Sequence, residues 1–200
     1  DDVIAEVRTL RAGGTLEVLL ANHALRRGYR ALVYTFNLQV FDPTWFGEPP
    51  VDLRAKLIAR QKVKRSRKMH AAIQSYLRFL ELGGTLEFGS PNERLISNYL
   101  LAGLPILTGL SGTYLYQCKR ERDLDPLRCV DDDIGGDPQG HFVVLCGYDA
   151  ASREVEIADP YRENPVARLH HYSVGIERLL HSILLGILTY DANLLVIDRA

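Results

Sequence analysis

The chain has 200 residues, of which 46% are hydrophobic and 24% charged, and a net charge of −1. Such a composition describes a globular chain able to bury about 70% of its extended surface, with no general attraction to nucleic acid or to anionic membranes. No apolar run approaches the roughly 20 residues a membrane helix needs, and no charged-then-apolar signal segment opens the sequence.

Three cysteines, Cys118, Cys129 and Cys146, lack CxxC spacing. They fit neither a disulfide framework nor a zinc site, so the expectation is a reducing, cytoplasmic setting with no metal and no cofactor. The chain opens on Asp1-Asp2 rather than Met, as expected where upstream residues have been trimmed.

In chain order, Val3, Ile4, Val7 and Leu10 suit a short helix or strand before Gly13-Gly14. Residues 15–27 predict a helix: Leu16, Leu19, Leu20 and Ala24 recur at helical spacing, and Gly28 follows as a stop. Thr15 is a good cap or first-turn residue there, and Glu17 suits the positive end of the helix dipole. Residues 31–36 read as a strand, and 37–50 as a loop marked by Asp42-Pro43 and Pro49-Pro50.

Residues 51–82 lack Gly and Pro and are helical in period. Their first half is basic, with Arg54, Lys56, Arg60, Lys62, Lys64, Arg65, Arg67 and Lys68. Their second half sets Ile73, Tyr76, Leu77 and Leu80 on one face. Residues 85–88 form a short strand, and Ser90-Pro91-Asn92-Glu93 predicts a capping box opening a helix that stops at Gly103. Residues 105–110 and 114–118 read as strands. Residues 119–140, with Asp131-Asp132-Asp133 and Gly135-Gly136, read as a long loop or lid before His141.

The run Gly140-His141-Phe142-Val143-Val144-Leu145-Cys146-Gly147-Tyr148-Asp149, followed by Val155-Glu156-Ile157-Ala158-Asp159-Pro160, predicts a β-hairpin across the turn signal 149–153. With Tyr148 and Glu154 as the last pair, His141 and Asp159 fall at the open end, about two pairs apart. Diagonal neighbours at roughly 7–8 Å let an imidazole and a carboxylate meet. A carboxylate on one ring nitrogen fixes the tautomer and leaves the other nitrogen as a base. A helix near 173–184 and a strand at 193–197 end the chain. Helices preceding a mostly antiparallel strand set make the class α+β, in a single domain over 1–200.

The runs around His141 and Ile157-Ala158-Asp159-Pro160-Tyr161 resemble the His and Asp motifs of the double-glycine leader peptidases. These are papain-like cysteine peptidases that mature bacteriocins. Leu104-Pro105-Ile106-Leu107-Thr108-Gly109 is similar to the family's strand preceding the His. The resemblance covers most of the chain except residues 47–84. It implies a papain-like fold, a central helix packed on a mostly antiparallel sheet, with residues 51–82 as a helical insertion.

In that family a Cys-Gly-Pro begins the central helix, where the dipole lowers the thiol pKa. Counting back thirteen residues from Gly28, the family's spacing to its nucleophile, lands on Thr15, followed by Leu16-Glu17. The Gln that supplies an oxyanion donor six residues earlier is replaced by Thr9. The resemblance therefore implies a peptidase-like domain without ordinary cysteine chemistry, holding a peptide or other extended chain in a vestigial cleft.

Two other functions compete. One is amide hydrolysis or acyl transfer with Thr15 as nucleophile, His141 as base, Asp159 as orienter and helix-start N–H groups as oxyanion donors. A cut after Gly13-Gly14 would even expose Thr15 with its own amine base. The other is anion or nucleic-acid binding through residues 54–68. No nucleic-acid motif accompanies that run and aromatics are absent until Tyr76, so a solvated helix face is the plainer reading.

Cys146, mid-strand in an apolar run, reads as a small buried hydrophobe. Cys118 and Cys129 have basic neighbours but open no predicted helix. His23, His170 and His171 lack ligand spacing, and the acidic triplet lacks the pattern of a calcium loop. Oligomeric state leaves no trace in the sequence.

Overall fold

The computed structural model describes residues 6–7, 15–125, 128–189 and 192–199; the expectations for Thr9 and for Gly13-Gly14 lie outside them. The chain is α+β and divides into two compact units, Asp1–Gly89 with Leu195–Ala200, and Ser90–Leu194. Among the described residues, no helix is long and apolar enough to cross a membrane.

In the first unit, α1 (Glu17–Arg26) starts after Leu16, whose backbone is extended and which makes no side-chain cap bond. Thr15 thus stands one residue outside the cap position. Leu16 is buried, and the buried Glu17 accepts a hydrogen bond from Tyr76 Oη at 2.5 Å, so packing helps set this helix start. Its other end is as expected: Gly28 sits at φ +84°, a conformation side chains avoid. β1 (Tyr29–Thr35) follows, alternating buried Ala31, Val33 and Thr35 with more exposed neighbours.

Residues 51–82 form two helices where one was expected, α2 (Leu53–Val63) and α3 (Arg67–Glu81). Ser66 caps α3 by accepting from Met69 N, and Lys62, Lys64, Arg65, Arg67 and Lys68 gather like charges around the junction. Together these open the chain at residues 64–66. α3 buries Met69, Ala72, Ile73, Tyr76, Leu77 and Phe79, and Asn22 of α1 donates to Ser75 O at 2.9 Å. β2 (Thr85–Phe88) then pairs parallel to β1, from Leu32↔Thr85 to Thr35↔Phe88.

The second unit begins with α4 (Glu93–Leu101). Its cap is Asn92, which accepts from Leu95 N at 2.9 Å, and not Ser90. Glu93 is thereby released from a capping box and binds Arg153 at 2.6 Å. β3 (Ile106–Ser111) leads into α5 (Gly112–Tyr116), where a strand was expected over 114–118. Ser111 accepts from Tyr114 N, and Gln117 in the left-handed region ends the turn, so local capping overrides the β propensity of the tyrosines.

The expected loop before His141 contains a charged hairpin, β4 (Glu121–Asp125) and β5 (Arg128–Asp131). Asp132 of the acidic triplet orders the turn that follows, accepting from Gly135 N at 2.8 Å and Ile134 N at 3.1 Å. Asp132 thus has a turn-building role.

β6 (Gly140–Asp149), β7 (Glu154–Ala158) and β8 (His171–Gly175) continue antiparallel from β3 in the order β3-β6-β7-β8. One face buries Val143, Leu145, Val155, Ile157, Tyr172 and Val174, against which α6 (Ile176–Leu185) brings Ile176, Leu179 and Ile183. Full burial of each aliphatic chain contributes about 1.5–3 kcal/mol. The predicted helix start at Ser173 is thus corrected: 171–175 is strand, because Tyr172 and Val174 alternate onto the buried face. β9 (Asn193–Arg199) ends the described chain. Thr108 donates to Asn193 O at 2.8 Å in this unit, and Arg30 binds Asp198 at 2.7 Å in the first.

Candidate functional site

The β6–β7 hairpin turns one residue tighter than expected, with Asp149↔Glu154 as the last pair. A bulge at Cys146 then absorbs one residue between Leu145↔Ile157 and Gly147↔Glu156. The two departures cancel, so Asp159 still falls about two positions along from His141 at the open end. Odd-numbered residues from 141 to 145 share the buried face with Ile157 and Tyr172, which carries His141, Asp159 and Tyr172 onto the same side. The meeting occurs: His141 Nε2 lies 2.9 Å from Asp159 Oδ1.

Asp159 is only 2% exposed and is fully supplied with donors. Oδ1 accepts from His141 and from Tyr161 N at 2.8 Å. Oδ2 accepts from Tyr172 Oη at 2.6 Å and Tyr116 Oη at 2.7 Å. Burial alone would raise its pKa, but the bonds from Tyr172, His141, Tyr116 and the Tyr161 N–H outweigh it and hold the carboxyl below its ordinary value. The phenols respond in the opposite sense, both pushed up by burial and by the carboxylate they face. Asp159 N donates to His170 O at 2.7 Å, and His170 Nδ1 lies 2.8 Å from Asp159 O. His170, read from sequence as having no special role, fastens the end of this strand.

His141 is held from the other side. It pairs with Leu110 in β3, and the Tyr116 ring lies 5.6 Å from the imidazole, centroid to centroid. Gly112 N donates to Gln139 O at 2.8 Å, and a Cβ at Gly112 would come within 3.1 Å of His141 Cβ. A side chain there would crowd the imidazole, so glycine lets α5 start directly against it. An ionised Asp159 has no proton to give, so the bond fixes the Nε2–H tautomer and leaves Nδ1 as the nitrogen that accepts a proton. The His141 side chain keeps 22% of its surface open to reach a ligand.

Thr15, the third residue of the expected constellation, belongs to the other compact unit, half-buried ahead of α1. The cysteines offer no substitute. All three are exposed, which corrects the burial expected for Cys146, and each thiol is pushed above its ordinary pKa. For Cys118 and Cys146 desolvation of the sulfur leads, whereas for Cys129 the Glu121 side chain does. None has the low pKa of an activated nucleophile.

Tyr116 and Tyr172 were not identified from the sequence. Tyr172 carried a usable signal, alternating with Val174, whereas Tyr116 was hidden by a strand expected where a short helix forms.

Comparisons with family models, with curated proteins and with solved structures found no match for this chain.

Proposed function

We propose that this is a papain-like, double-glycine-peptidase-like domain, placed in a reducing cytoplasm, that has lost its nucleophile and binds a peptide or other extended chain. The observation that carries the reading is the His141–Asp159 pair, with a buried, four-donor carboxylate orienting an imidazole whose Nδ1 remains available. Desolvated carboxylates with shifted pKa values concentrate at working sites. Thr15 stands at the position of the missing Cys, and a hydroxyl there is a far weaker nucleophile than a thiol. The residues that orient a base are kept while the group it would activate is absent, and holding a substrate without cutting it fits that combination. Residues 51–82 are then an elaboration of the peptidase core.

The test is equilibrium binding of the chain to a peptide library that includes double-glycine sequences, with the bound peptides read by mass spectrometry. Bound peptides should remain intact. Affinity should fall on His141→Ala and change little between low and moderate salt. Cleavage that disappears in both Thr15→Ala and His141→Ala would replace this reading by catalysis at Thr15. Binding that falls steeply with salt would instead assign the ligand to the cations of residues 54–68. Two of those already have protein partners, Arg54 with Glu81 at 3.0 Å and Arg60 with Gln39 O, which disfavours that outcome.

A further inference from the structure

Away from the buried face, the outer surface of β6, β7 and β8 gathers three side chains of a different chemistry. Cys146, Glu156 and His171 come one from each strand, and their donor atoms all lie within 4.8 Å of one another. His171 Nδ1 is 3.4 Å from Glu156 Oε1, and Cys146 Sγ is 3.5 Å from Glu156 O. We propose that these three residues bind a single divalent transition-metal ion, with Zn²⁺ the best fit, leaving one coordination position open.

The set was not visible in the sequence because its members are ten and fifteen residues apart on three strands, and because Cys146 reads as a core residue. In the structure Cys146 is the extra residue of the bulge and is exposed beside Glu156, on the side opposite Leu145 and Ile157. Gly147 completes the arrangement. A Cβ there would lie 2.9 Å from Glu156 Oε2 and 3.2 Å from Glu156 Cβ, so any larger residue would push the carboxylate off the bulge. On β8, Ala158↔His171 and Glu156↔Ser173 make Glu156 and His171 diagonal neighbours on the same face.

A thiolate, an imidazole and a carboxylate together suit zinc, which takes all three at about 2.0–2.3 Å in a tetrahedron. Those bond lengths put ligand atoms roughly 3.3–3.8 Å apart. The exposed side chains of Glu156 and His171 need only close by a rotamer adjustment to reach it. A hard cation such as Mg²⁺ or Ca²⁺ would gain little from sulfur and nitrogen. On binding, Cys146 gives its thiol proton to solvent and ligates as the thiolate. Three protein ligands leave a fourth position for water.

The test strips the full chain with a chelator and titrates it with Co²⁺ alone, then with Zn²⁺ as competitor. The expected result is one Co²⁺ per chain, with thiolate-to-cobalt charge-transfer absorption and the intense visible bands of a tetrahedral site, displaced by Zn²⁺. Cys146→Ser should abolish the charge-transfer band, and His171→Ala or Glu156→Gln should weaken Zn²⁺ binding by about ten-fold or more. The Cys118→Ser/Cys129→Ser double variant should behave as the parent. No charge-transfer band in the parent, a band that survives Cys146→Ser, or one lost in the double variant would each overturn the assignment.

Discussion

Asp159→Ala should lower the stability of the chain by about 3–5 kcal/mol, the range for removing one partner of a buried charged network. The carboxylate is buried, and its loss strands Tyr116 Oη, Tyr172 Oη, Tyr161 N–H and His141 Nε2 without their acceptor. Each orphaned buried donor costs about 1–3 kcal/mol before relaxation. Asp159→Asn is the control: it keeps the volume and accepting oxygen, and the phenols can turn to accept from its amide, so its cost should be about 1–2 kcal/mol. Urea denaturation of the three proteins gives the comparison.

The pH dependence has a defined sign. The folded pKa of Asp159 is depressed, so its contribution is fully present above the unfolded value near about 3.9 and is lost as pH falls through the lower folded value. The parent should therefore lose its advantage over Asp159→Asn below about pH 4. An Asp159→Ala protein as stable as the parent would show that the four hydrogen bonds are not a network.

Phe79→Ala should cost a comparable amount, about 3–5 kcal/mol. Phe79 is fully buried on α3, whose Met69, Ala72, Ile73 and Tyr76 are buried as well. Tyr76 reaches Glu17 at the start of α1 and stacks edge-on against Phe41 at 4.7 Å between centroids. Whatever its origin, the 51–82 segment supplies core to its unit. A loss below about 1 kcal/mol would mean the segment is a surface appendage, since only surface changes are that mild. Val63→Ala, at an exposed site at the end of α2, should fall within about 0.5 kcal/mol of the parent and serves as the contrast.

The His–Asp pair was legible because strand alternation is rigid. A period of two forces 141, 143 and 145 to one side, and an error of one residue at the turn would have sent His141 to the opposite face. It did not, only because the bulge at Cys146 cancels the tighter turn, and nothing in an apolar run announces a bulge. The same period of two sets Cys146 opposite Leu145, and its apolar neighbours in the sequence concealed its meeting with Glu156 and His171.

Helix ends were legible where glycine ends them, as at Gly28, and less so where several polar residues compete to cap. Ser90 lost to Asn92, which lies directly before the first helical turn. The failure at Tyr114 to Cys118 has the same origin: β-favouring tyrosines follow a Ser-Gly pair that caps a helix, and the local hydrogen bond from Tyr114 N to Ser111 wins. The break at 64–66 falls at the Ser66 cap, a local hydrogen bond that periodicity does not count.

The proposed function rests on Thr15 standing where the leader peptidases carry their nucleophile, with His141 in the place of their base. The measurement that reaches it most directly is iodoacetamide alkylation of the Thr15→Cys variant at neutral pH, followed by peptide mapping against the three native thiols. Under that proposal a thiol at position 15 would gain the field of the following helix and the imidazole of His141, both of which favour thiolate. The introduced thiol should be modified well before Cys118, Cys129 and Cys146, whose pKa values lie above the ordinary thiol value. Adding His141→Ala should bring its rate back to theirs. A Thr15→Cys thiol no faster than the native three, or one indifferent to His141→Ala, would contradict the account.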